Sequence, residues 1–430
     1  MHTIARELNQ VLEHTVIADL LSDLGKRMYF PKGIVSQEAE ASLKAKKLKA
    51  TVGMATKQNI PMYLPSIFED ISSAAPSDVF PYASTAGDQE LRKLWLEEMA
   101  VKNPDLRGKT TSLPVVTSGL THGIFLAGDL FLDEGDTILV PDLFWGNYTL
   151  IFEERSKAKL VTFPFYNQDK SGLDLHALEQ AIANAPGSKV SLIVNFPNNP
   201  SGYSPTVQEA QQIVAILKRA ADGGKRLAVI TDDAYFGLFY EEGTCTQSLF
   251  AMLADAHEHI LAIKVDGATK EDFVWGFRIG FITFGAKGVT SEQYEALVKK
   301  TMGAVRSSIS NASKPAQSLI LKGMKSSTYH QEKQQAFDLL QSRYVLVKDI
   351  LKRHADDDNL VPLPFNSGYF MAFACKGSAE ELRLYLLDRY EVGAIAIKDD
   401  YLRIAFSSVD NDRMEELFDI IYQAAGELWN

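Results

Sequence analysis

Short apolar runs alternate with longer stretches of helical periodicity through the middle of the chain. The apolar runs predict six strands, at residues 113–117, 137–140, 159–163, 190–195, 227–231 and 260–265. Amphipathic stretches between them predict helices at 121–131, 173–184 and 206–221. Apolar strands separated by such helices are typical of an α/β fold with a mostly parallel sheet covered on both faces. A further apolar run at 277–284 is expected to add a strand to that sheet.

The pattern changes near residue 326, where a long helical stretch at 329–354 begins. After it come an apolar run at 368–374, a helix at 379–389, a short strand at 402–406 and a helix at 410–426, which together predict an α+β module. The first fifty residues are predicted to be largely helical. We therefore expect a large domain at 56–325, a small domain at 326–430, and an N-terminal segment at 1–55 that packs on the small domain or on a partner subunit.

Composition and charge narrow the class of protein. The chain has 430 residues and a net charge of −11, which argues against a nucleic-acid partner. No apolar run approaches the roughly 20 residues of a membrane helix, and the first twenty residues lack the apolar core of a signal peptide. The two cysteines, Cys245 and Cys375, suit a reducing compartment. We expect a cytoplasmic protein that binds neither nucleic acid nor membrane.

Small, polar and aromatic residues follow the predicted strands, where parallel sheets bind their ligands. Gly119 and Thr121 lie where a helix begins, and backbone amides with a hydroxyl suit a phosphate there. Trp145 can stack on a flat heteroaromatic ring, and the Asn199 amide can reach a ring substituent. Each feature also has a structural interpretation: a capped glycine turn, a core tryptophan, and a turn rich in Asn, Pro and Gly.

Three charged residues complete the set. Asp232 ends an apolar strand, so its carboxylate needs a cationic partner such as a protonated pyridine nitrogen, although it could instead cap the next helix. Lys270 lies in a loop of small residues, where a Schiff base on its amine would explain a buried lysine; a surface lysine is the alternative. Arg403, within an apolar strand, indicates a carboxylate partner from the protein or from a substrate.

In this order along the chain, these residues resemble the class I and II aminotransferases of fold type I. The resemblance extends from about residue 52 to the C-terminus, and the Trp-Gly-Asn sequence at 145–147 is similar to the aspartate and aromatic aminotransferase branch. It implies pyridoxal 5′-phosphate (PLP) as the cofactor, a homodimer with shared active sites, and no metal. His257 and His259, at the end of a predicted helix, are expected to face apart rather than to form a metal site.

The resemblance also implies a role for each matching residue. Lys270 would carry PLP as a Schiff base and move the substrate proton, Asp232 would hold the ring nitrogen proton, Tyr235 and Asn199 would bind the ring hydroxyl oxygen, and Trp145 would cover the ring. The phosphate would be bound by Gly119, Leu120, Thr121, Arg278 and, from the neighbouring subunit, Tyr82. The substrate would be bound by Gly53 and Arg403 at its α-carboxylate, and by Phe370 along the pocket.

Three further positions bear on specificity and on departures from the family pattern. Arg306 resembles the arginine that binds a side-chain carboxylate across the dimer interface; a solvated or structural arginine is an equal alternative. Gly267 stands where the family commonly has a serine that contacts the phosphate, so we expect one phosphate contact to be missing or supplied by water. Tyr148 stands where the aspartate-specific branch commonly has histidine.

The function that the resemblance implies is a ping-pong exchange of an amino group between an L-amino acid, dicarboxylic or aromatic, and a 2-oxo acid through pyridoxamine phosphate. Because one fold supports many reactions, a PLP-dependent C–S β-lyase or decarboxylase is the alternative. A non-catalytic regulator on this fold is a third hypothesis. The N-terminal fifty residues are too short to resemble the DNA-binding module that such regulators carry.

Overall fold

Seven strands form the central sheet in the computed structural model, which describes residues 1–30 and 33–429. They are β1 (Val115–Thr117), β2 (Thr137–Pro141), β3 (Lys159–Phe163), β4 (Lys189–Asn195), β5 (Arg226–Asp232), β6 (Ile260–Asp266) and β7 (Gly280–Gly285). Their order is β1-β7-β6-β5-β4-β2-β3. Only β7 is antiparallel to its neighbours. The prediction of a mostly parallel sheet is confirmed, and the apolar run at 277–284 supplies the strand inserted between β1 and β6.

Helices cover both faces of this sheet, as the alternation of apolar side chains along β4 shows. Leu192 and Val194 pack in one apolar cluster, whereas Ile193 between them belongs to another on the opposite face. The α-helices between residues 65 and 325 are Pro65–Phe68, Pro76–Val79, Gln89–Lys102, Gly119–Phe131, Leu175–Asn184, Val207–Asp222, Leu249–Leu253, Ala268–Glu271, Ser291–Ser308 and Lys314–Lys325. A π-helical segment lies at Thr149–Arg155. None of the helices within residues 1–30 and 33–429 is both long enough and apolar enough to span a bilayer.

The C-terminal part begins with the helix Tyr329–Arg353, close to where the sequence pattern predicts it. A second sheet follows, formed by β8 (Leu360–Pro362), β9 (Met371–Cys375), β10 (Ile395–Ile397) and β11 (Tyr401–Ile404) in the order β8-β9-β11-β10. The helices Ala379–Tyr390 and Asn411–Trp429 pack on each other. Strand β11 carries Arg403, so its position decides where that guanidinium points.

The N-terminal segment contacts two different parts of the molecule. Its helices are Thr3–Leu12, Val16–Leu20, Asp23–Arg27 and Ile34–Lys44. The last of these lies against β10, where the Gln37 amide exchanges two hydrogen bonds with the backbone of Ala396. Earlier in the segment, Arg27 Nε donates to the carbonyl oxygen of Glu154, 3.0 Å away. This second contact, with the π-helical segment beside the central sheet, is one that the sequence did not indicate.

Candidate active site

A cavity of about 300 Å³ lies beyond the carboxyl ends of the central strands. All but three of the predicted site residues line it: Gly53, Leu120, Thr121, Trp145, Asn199, Asp232, Tyr235, Lys270, Arg278, Phe370 and Arg403. They come from residues at or after the ends of five strands of the central sheet, from β11, from the segment that precedes the central sheet, and from the segment between β8 and β9. Because parallel strands end at one edge of a sheet, residues far apart in sequence meet there.

Lys270 lies on the short helix Ala268–Glu271 that follows β6. Its Nζ is 4.8 Å from the centroid of the Tyr235 ring. Burial lowers the pKa of Lys270 to about 8; the carboxylate of Asp232 raises it, and the charge of Arg278 lowers it further. A substantial fraction of this amine is therefore neutral at mildly alkaline pH, and the neutral amine is the form that attacks a carbonyl carbon.

Asp232, at the end of β5, is 3% exposed and has two unlike carboxylate oxygens. Its Oδ2 accepts a 2.5 Å hydrogen bond from Tyr148 Oη. Its Oδ1 is buried and has no hydrogen-bond partner among the described residues. Burial raises the pKa of Asp232 to about 6, while the hydrogen bond from Tyr148 and the charge of Lys270 lower it. Because an unpaired buried carboxylate oxygen is costly, Oδ1 fits a cationic N–H donor in the cavity.

Tyr148 is a site residue that the sequence analysis treated only as a departure from a family pattern. Its side chain is buried, and burial together with the neighbouring Asp232 raises the phenol pKa well above its ordinary value. The phenol therefore stays neutral and acts as a hydrogen-bond donor. The signal was its place after Trp145, because the loops that follow β2 and β5 meet at one edge of the sheet; the two rings pack edge to face with centroids 5.7 Å apart.

Arg403, on β11, lines the cavity with a buried side chain that is 1% exposed. Its Nη1 donates to Asn199 Oδ1 at 2.9 Å, and its Nη2 donates to the Thr51 carbonyl at 2.8 Å. Its Nε is buried with no hydrogen-bond partner within the described part of the chain. Burial lowers the pKa of Arg403 to about 10, so the group remains a cation at neutral pH. It can bind a carboxylate.

The start of the helix Gly119–Phe131 and the Arg278 side chain form one part of the cavity wall. Gly119 has a φ of +74°, and a Cβ at this position would overlap the Arg278 guanidinium. Glycine therefore lets a cation lie directly against the helix N-terminus, next to Leu120 and Thr121. Amide groups at a helix start together with a guanidinium form a suitable site for an anion.

The departure at Gly267 has a steric explanation. A Cβ there would lie 2.6 Å from the Ile279 carbonyl oxygen and 2.7 Å from Gly280 Cα, so a serine does not fit beside β7. Thr269, two residues later, does line the cavity, but its hydroxyl donates to the Ile279 carbonyl at 3.3 Å. Residue 267 therefore has no hydroxyl, and the hydroxyl of Thr269 is bonded to the backbone beside β7.

Three predicted residues do not line the cavity. Gly119 lies directly against the Arg278 guanidinium, and it is Arg278 that lines the cavity. Tyr82 is 93% exposed, and Arg306 is an exposed residue near the end of the helix Ser291–Ser308. The roles predicted for Tyr82 and Arg306 involve a neighbouring subunit, and they stay predictions.

Sequence reasoning also missed residues that complete the cavity wall: Ile34, Ile124, Asn195, Ala234 and Thr269. Ile34 begins the N-terminal helix Ile34–Lys44, and an aliphatic residue at the start of a helix carries no signal of a site. Asn195 has a clearer purpose. Its Oδ1 accepts from the Asn199 amide at 2.8 Å and its Nδ2 donates to the Asp232 carbonyl at 2.7 Å, so it joins the loops after β4 and β5.

The expectation that His257 and His259 face apart is wrong. They lie in a turn rather than at a helix end, and their ring centroids are 5.1 Å apart. The His259 amide donates to His257 Nδ1 at 2.9 Å, which folds the two residues together. His257 Nε2 lies 3.2 Å from the Asp222 carboxylate. Among the residues described, no three His, Cys, Asp or Glu side chains are grouped so that they could hold a metal ion.

Comparison with known families decides what this arrangement belongs to. The sequence model of the family described as aminotransferase class I and II matches residues 45–421. The chain belongs to this family. Its members are PLP-dependent transaminases, and the cavity fits that cofactor: Asp232 Oδ1 offers an unpaired acceptor for the ring nitrogen, Lys270 an amine for the aldehyde, and the helix start at Gly119 an anion site for the phosphate.

Individual aminotransferases are similar over different lengths. A probable aspartate/prephenate aminotransferase of Aquifex aeolicus is 25% identical over 319 residues, 73% of this chain and 75% of that protein. A probable N-acetyl-LL-diaminopimelate aminotransferase of Bacillus subtilis is 26% identical over 49% of this chain and 49% of its own length. The crystal structure of an aminotransferase from Anaerococcus prevotii superposes with a TM-score of 0.82 at 21% identity, covering 93% of this chain and 98% of that one. The overall fold is therefore that of fold type I aminotransferases.

Proposed function

We propose that the chain moves an amino group between an L-amino acid, dicarboxylic or aromatic, and a 2-oxo acid by a ping-pong mechanism. The observation that carries the proposal is a single cavity with three unlike groups around it: the unpaired carboxylate oxygen of Asp232, the amine of Lys270, and the guanidinium of Arg403. Names of similar proteins, aspartate/prephenate aminotransferase among them, support this substrate class.

Each residue has a defined part in the proposed reaction. PLP, when bound, supplies an electron-withdrawing ring that makes a substrate α-proton acidic. Asp232 holds a proton on the ring nitrogen, and the Lys270 Nζ takes the proton from the substrate α-carbon and returns it. Tyr235 and Asn199 donate to the ring oxygen, and Trp145 covers one ring face.

The phosphate of the cofactor and the carboxylate of the substrate are bound by two different arginines of the cavity, Arg278 and Arg403. Arg278, Leu120 and Thr121, with Gly119 making room for the guanidinium, bind the phosphate. Arg403, with the Gly53 backbone and the Phe370 ring beside it, orients the substrate carboxylate; the Arg403 guanidinium lies 4.2 Å from the centroid of that ring. Because two anion sites are fixed, the substrate α-carbon approaches Lys270 in one orientation. Holding the reacting groups in this orientation raises the rate of the reaction.

We also propose that the active unit is a homodimer in which Tyr82 and Arg306 act on the cavity of the partner subunit. The support is their exposure outside the cavity of their own chain. Tyr82 would then contact the phosphate, and Arg306 would select dicarboxylic substrates. A cytoplasmic location is proposed from the two free cysteines, Cys245 and Cys375.

A half-reaction test decides the proposal. The purified protein, loaded with PLP, is given one amino acid at a time, and its absorbance spectrum is followed. A transaminase given only an amino donor converts the cofactor to its amino form and releases a 2-oxo acid without ammonia. Release of pyruvate and ammonia would instead indicate a lyase and contradict the proposal. Lys270→Ala should remove the visible absorbance of the bound cofactor; Lys109→Ala, outside the cavity, should keep it.

The dicarboxylate hypothesis has its own control. Arg306→Ala should lower the half-reaction rate with aspartate and glutamate and leave the rate with aromatic donors nearly unchanged. Lys299→Ala removes a cation exposed on the same helix and should change neither rate. An equal loss for all donors in Arg306→Ala would show that this arginine is structural.

A further inference from the structure

A chain of hydrogen bonds joins Arg403 to the N-terminal helix Ile34–Lys44. Arg403 Nη2 donates to the Thr51 carbonyl at 2.8 Å, and the Thr51 hydroxyl donates to Glu38 Oε2. Glu38 lies on the helix, and Thr51 between it and Arg403 is fully buried. The guanidinium that we propose for the substrate carboxylate is therefore linked, through one residue, to an acid of the N-terminal segment.

Both oxygens of the Glu38 carboxylate accept hydrogen bonds. Oε2 accepts from the Thr51 hydroxyl, and Oε1 accepts from Lys49 Nζ at 3.0 Å and from Ser42 Oγ at 3.2 Å. The Glu38 side chain is 24% exposed. Hydrogen bonds to an ionised carboxylate are stronger than those between neutral groups, so Glu38 is a firmly held acceptor for the Thr51 hydroxyl.

The helix that carries Glu38 packs closely on the C-terminal part. Besides the two bonds between Gln37 and the backbone of Ala396, it lies against the backbone at Gly393. A Cβ at Gly393 would lie 3.0 Å from Ala41 Cβ on the helix and 3.3 Å from Thr51 Cγ2. The helix and Thr51 thus pack against the same backbone, and the bond from Thr51 to Glu38 fixes them relative to each other.

The orientation of Arg403 depends on this arrangement. Its guanidinium donates from Nη1 to Asn199 Oδ1 and from Nη2 to the Thr51 carbonyl, and the two acceptors together fix its plane. Its other N–H groups can pair with a carboxylate, and a bidentate pair needs a defined plane. Glu38 also acts on Arg403 through its charge, because burial lowers the pKa of Arg403 to about 10 whereas Tyr235 and Glu38 raise it.

We propose that Glu38 is a positioning residue that holds Thr51 in place and so fixes the plane in which Arg403 receives the substrate carboxylate. This rests on the proposed role of Arg403. Every amino donor and every 2-oxo acid carries this carboxylate, so loss of Glu38 should weaken the binding of all of them by the same factor. Ile34 lines the cavity from the same helix, so a displacement of the helix alone would instead affect substrates according to their side chains.

The test is the half-reaction of the PLP-loaded protein with aspartate, glutamate and phenylalanine, each over a range of concentrations. Glu38→Ala removes the acceptor, so the half-saturating concentration should rise about 10-fold for every donor that the wild type accepts, while the maximal rate stays within about twofold. Glu38→Gln keeps an oxygen acceptor of the same reach and should stay close to the wild type. Thr51→Val removes the hydroxyl but keeps the carbonyl, and it should behave like Glu38→Ala.

Three further measurements separate positioning from a general loss of structure. In the double variant Glu38→Ala with Thr51→Val, the rise should be no larger than in either single variant, because both changes remove the same bond. Calorimetric titration of the PLP-loaded protein with succinate and with 3-phenylpropionate, carboxylic acids without an amino group, should show the same rise in Kd without any turnover. Glu40→Ala is the matched control, because this acid of the same helix pairs with Lys44 and Arg383, and it should change neither quantity.

Several results would overturn the proposal. One is an unchanged Kd in both Glu38→Ala and Thr51→Val; others are a rise confined to one kind of donor side chain, or an equal rise in Glu38→Gln or in Glu40→Ala. If Glu38→Ala does not fold, Thr51→Val is compared with Thr51→Ser, which keeps the hydroxyl, and equal Kd values then overturn the proposal. A wild-type protein that neither reacts with an amino acid nor binds either probe would instead contradict the proposed function itself.

Discussion

Replacing Tyr148 by phenylalanine isolates the hydrogen bond that supports the buried acid of the site. The substitution keeps the ring, which stacks on Phe144 with an interplanar angle of 6° and packs edge to face on Trp145. It removes the hydroxyl that donates to Asp232 Oδ2 at 2.5 Å. Because Oδ1 has no partner among the described residues, the variant leaves the whole carboxylate without a side-chain donor.

The magnitude follows from the strength of hydrogen bonds to charged groups. Such a bond is worth about 1.5–3 kcal/mol, which corresponds to about one to two pKa units. In the native protein burial raises the pKa of Asp232 to about 6 despite this bond. We therefore expect a pKa of about 7–8 for Asp232 in cofactor-free Tyr148→Phe. The carboxyl group would then be partly protonated at neutral pH, and its hold on a protonated ring nitrogen would weaken.

The sign of the pH dependence is fixed by linkage. A carboxyl whose folded pKa lies above its unfolded value near 3.9 contributes stability that is present at low pH and lost as the pH rises through the folded pKa. In the wild type the stability from this carboxyl group is fully lost somewhat above pH 6, near its folded pKa. In the variant, whose folded pKa is higher, the stability continues to fall up to about pH 8. The free energy of unfolding of cofactor-free Tyr148→Phe should therefore fall relative to wild type between pH 6 and 8, by about 1.5–3 kcal/mol in total.

Urea unfolding of the cofactor-free proteins at several pH values measures this difference. Tyr166→Phe is the matched control, since it also removes a phenol hydroxyl, here from a partly buried side chain that donates to the Pro364 carbonyl at 2.6 Å. A carbonyl does not titrate, so the cost of this control should not vary with pH. A destabilisation of Tyr148→Phe that is equally independent of pH would refute the reasoning, because it would show that the phenol does not stabilise the charged form of Asp232.

Three further outcomes follow from the site. Gly267→Ser should lower the free energy of unfolding by about 1–3 kcal/mol in urea titrations, because its Cβ meets the Ile279 carbonyl; an unchanged stability would contradict the steric explanation. Arg403→Lys should raise the KM for the amino donor about 10- to 100-fold in the half-reaction, because an ammonium group cannot pair with a carboxylate through two parallel bonds. The rate at which cofactor-free protein takes up PLP should rise with pH and level off above about 8, as Lys270 loses its proton; a flat profile would contradict that pKa.

The central sheet could be predicted closely because all of its strands except the edge strand β3 are buried on both faces. Continuous apolar runs bounded by turn residues predict six of the seven strands within two residues of their observed bounds, as at 260–265 against Ile260–Asp266. The seventh run, at 277–284, begins three residues before the observed strand Gly280–Gly285. The apolar runs do not predict the order of the strands in the sheet or the direction in which each strand runs. The insertion of β7 between β1 and β6, antiparallel to both, depends on how its side chains pack against two strands that are distant in sequence.

The site was predictable to the extent that its residues follow strands of one sheet. Asp232 is the last residue of β5, and Lys270 lies on the short helix that follows β6, so topology alone brings them to the same edge. Ile34 was not predictable, because it reaches the cavity only through the path of an N-terminal helix that packs on β10. The role of Arg306 stays a prediction for a related reason, because a single chain does not show which residues or ligands an exposed residue contacts across an interface.

The two departures from the family pattern have different physical meanings, although each looks like a weakened site in the sequence. At Gly267 the backbone of β7 approaches so closely that no side chain fits, so the loss of a hydroxyl there is imposed by packing. At Tyr148 the residue that stands in place of histidine donates a hydrogen bond to Asp232. An imidazole titrates near neutral pH, whereas this buried phenol does not, because burial and Asp232 raise its pKa. The donor to the buried acid is therefore constant across the pH range in which Lys270 becomes reactive, and the titration of the lysine is not accompanied by that of a neighbouring histidine.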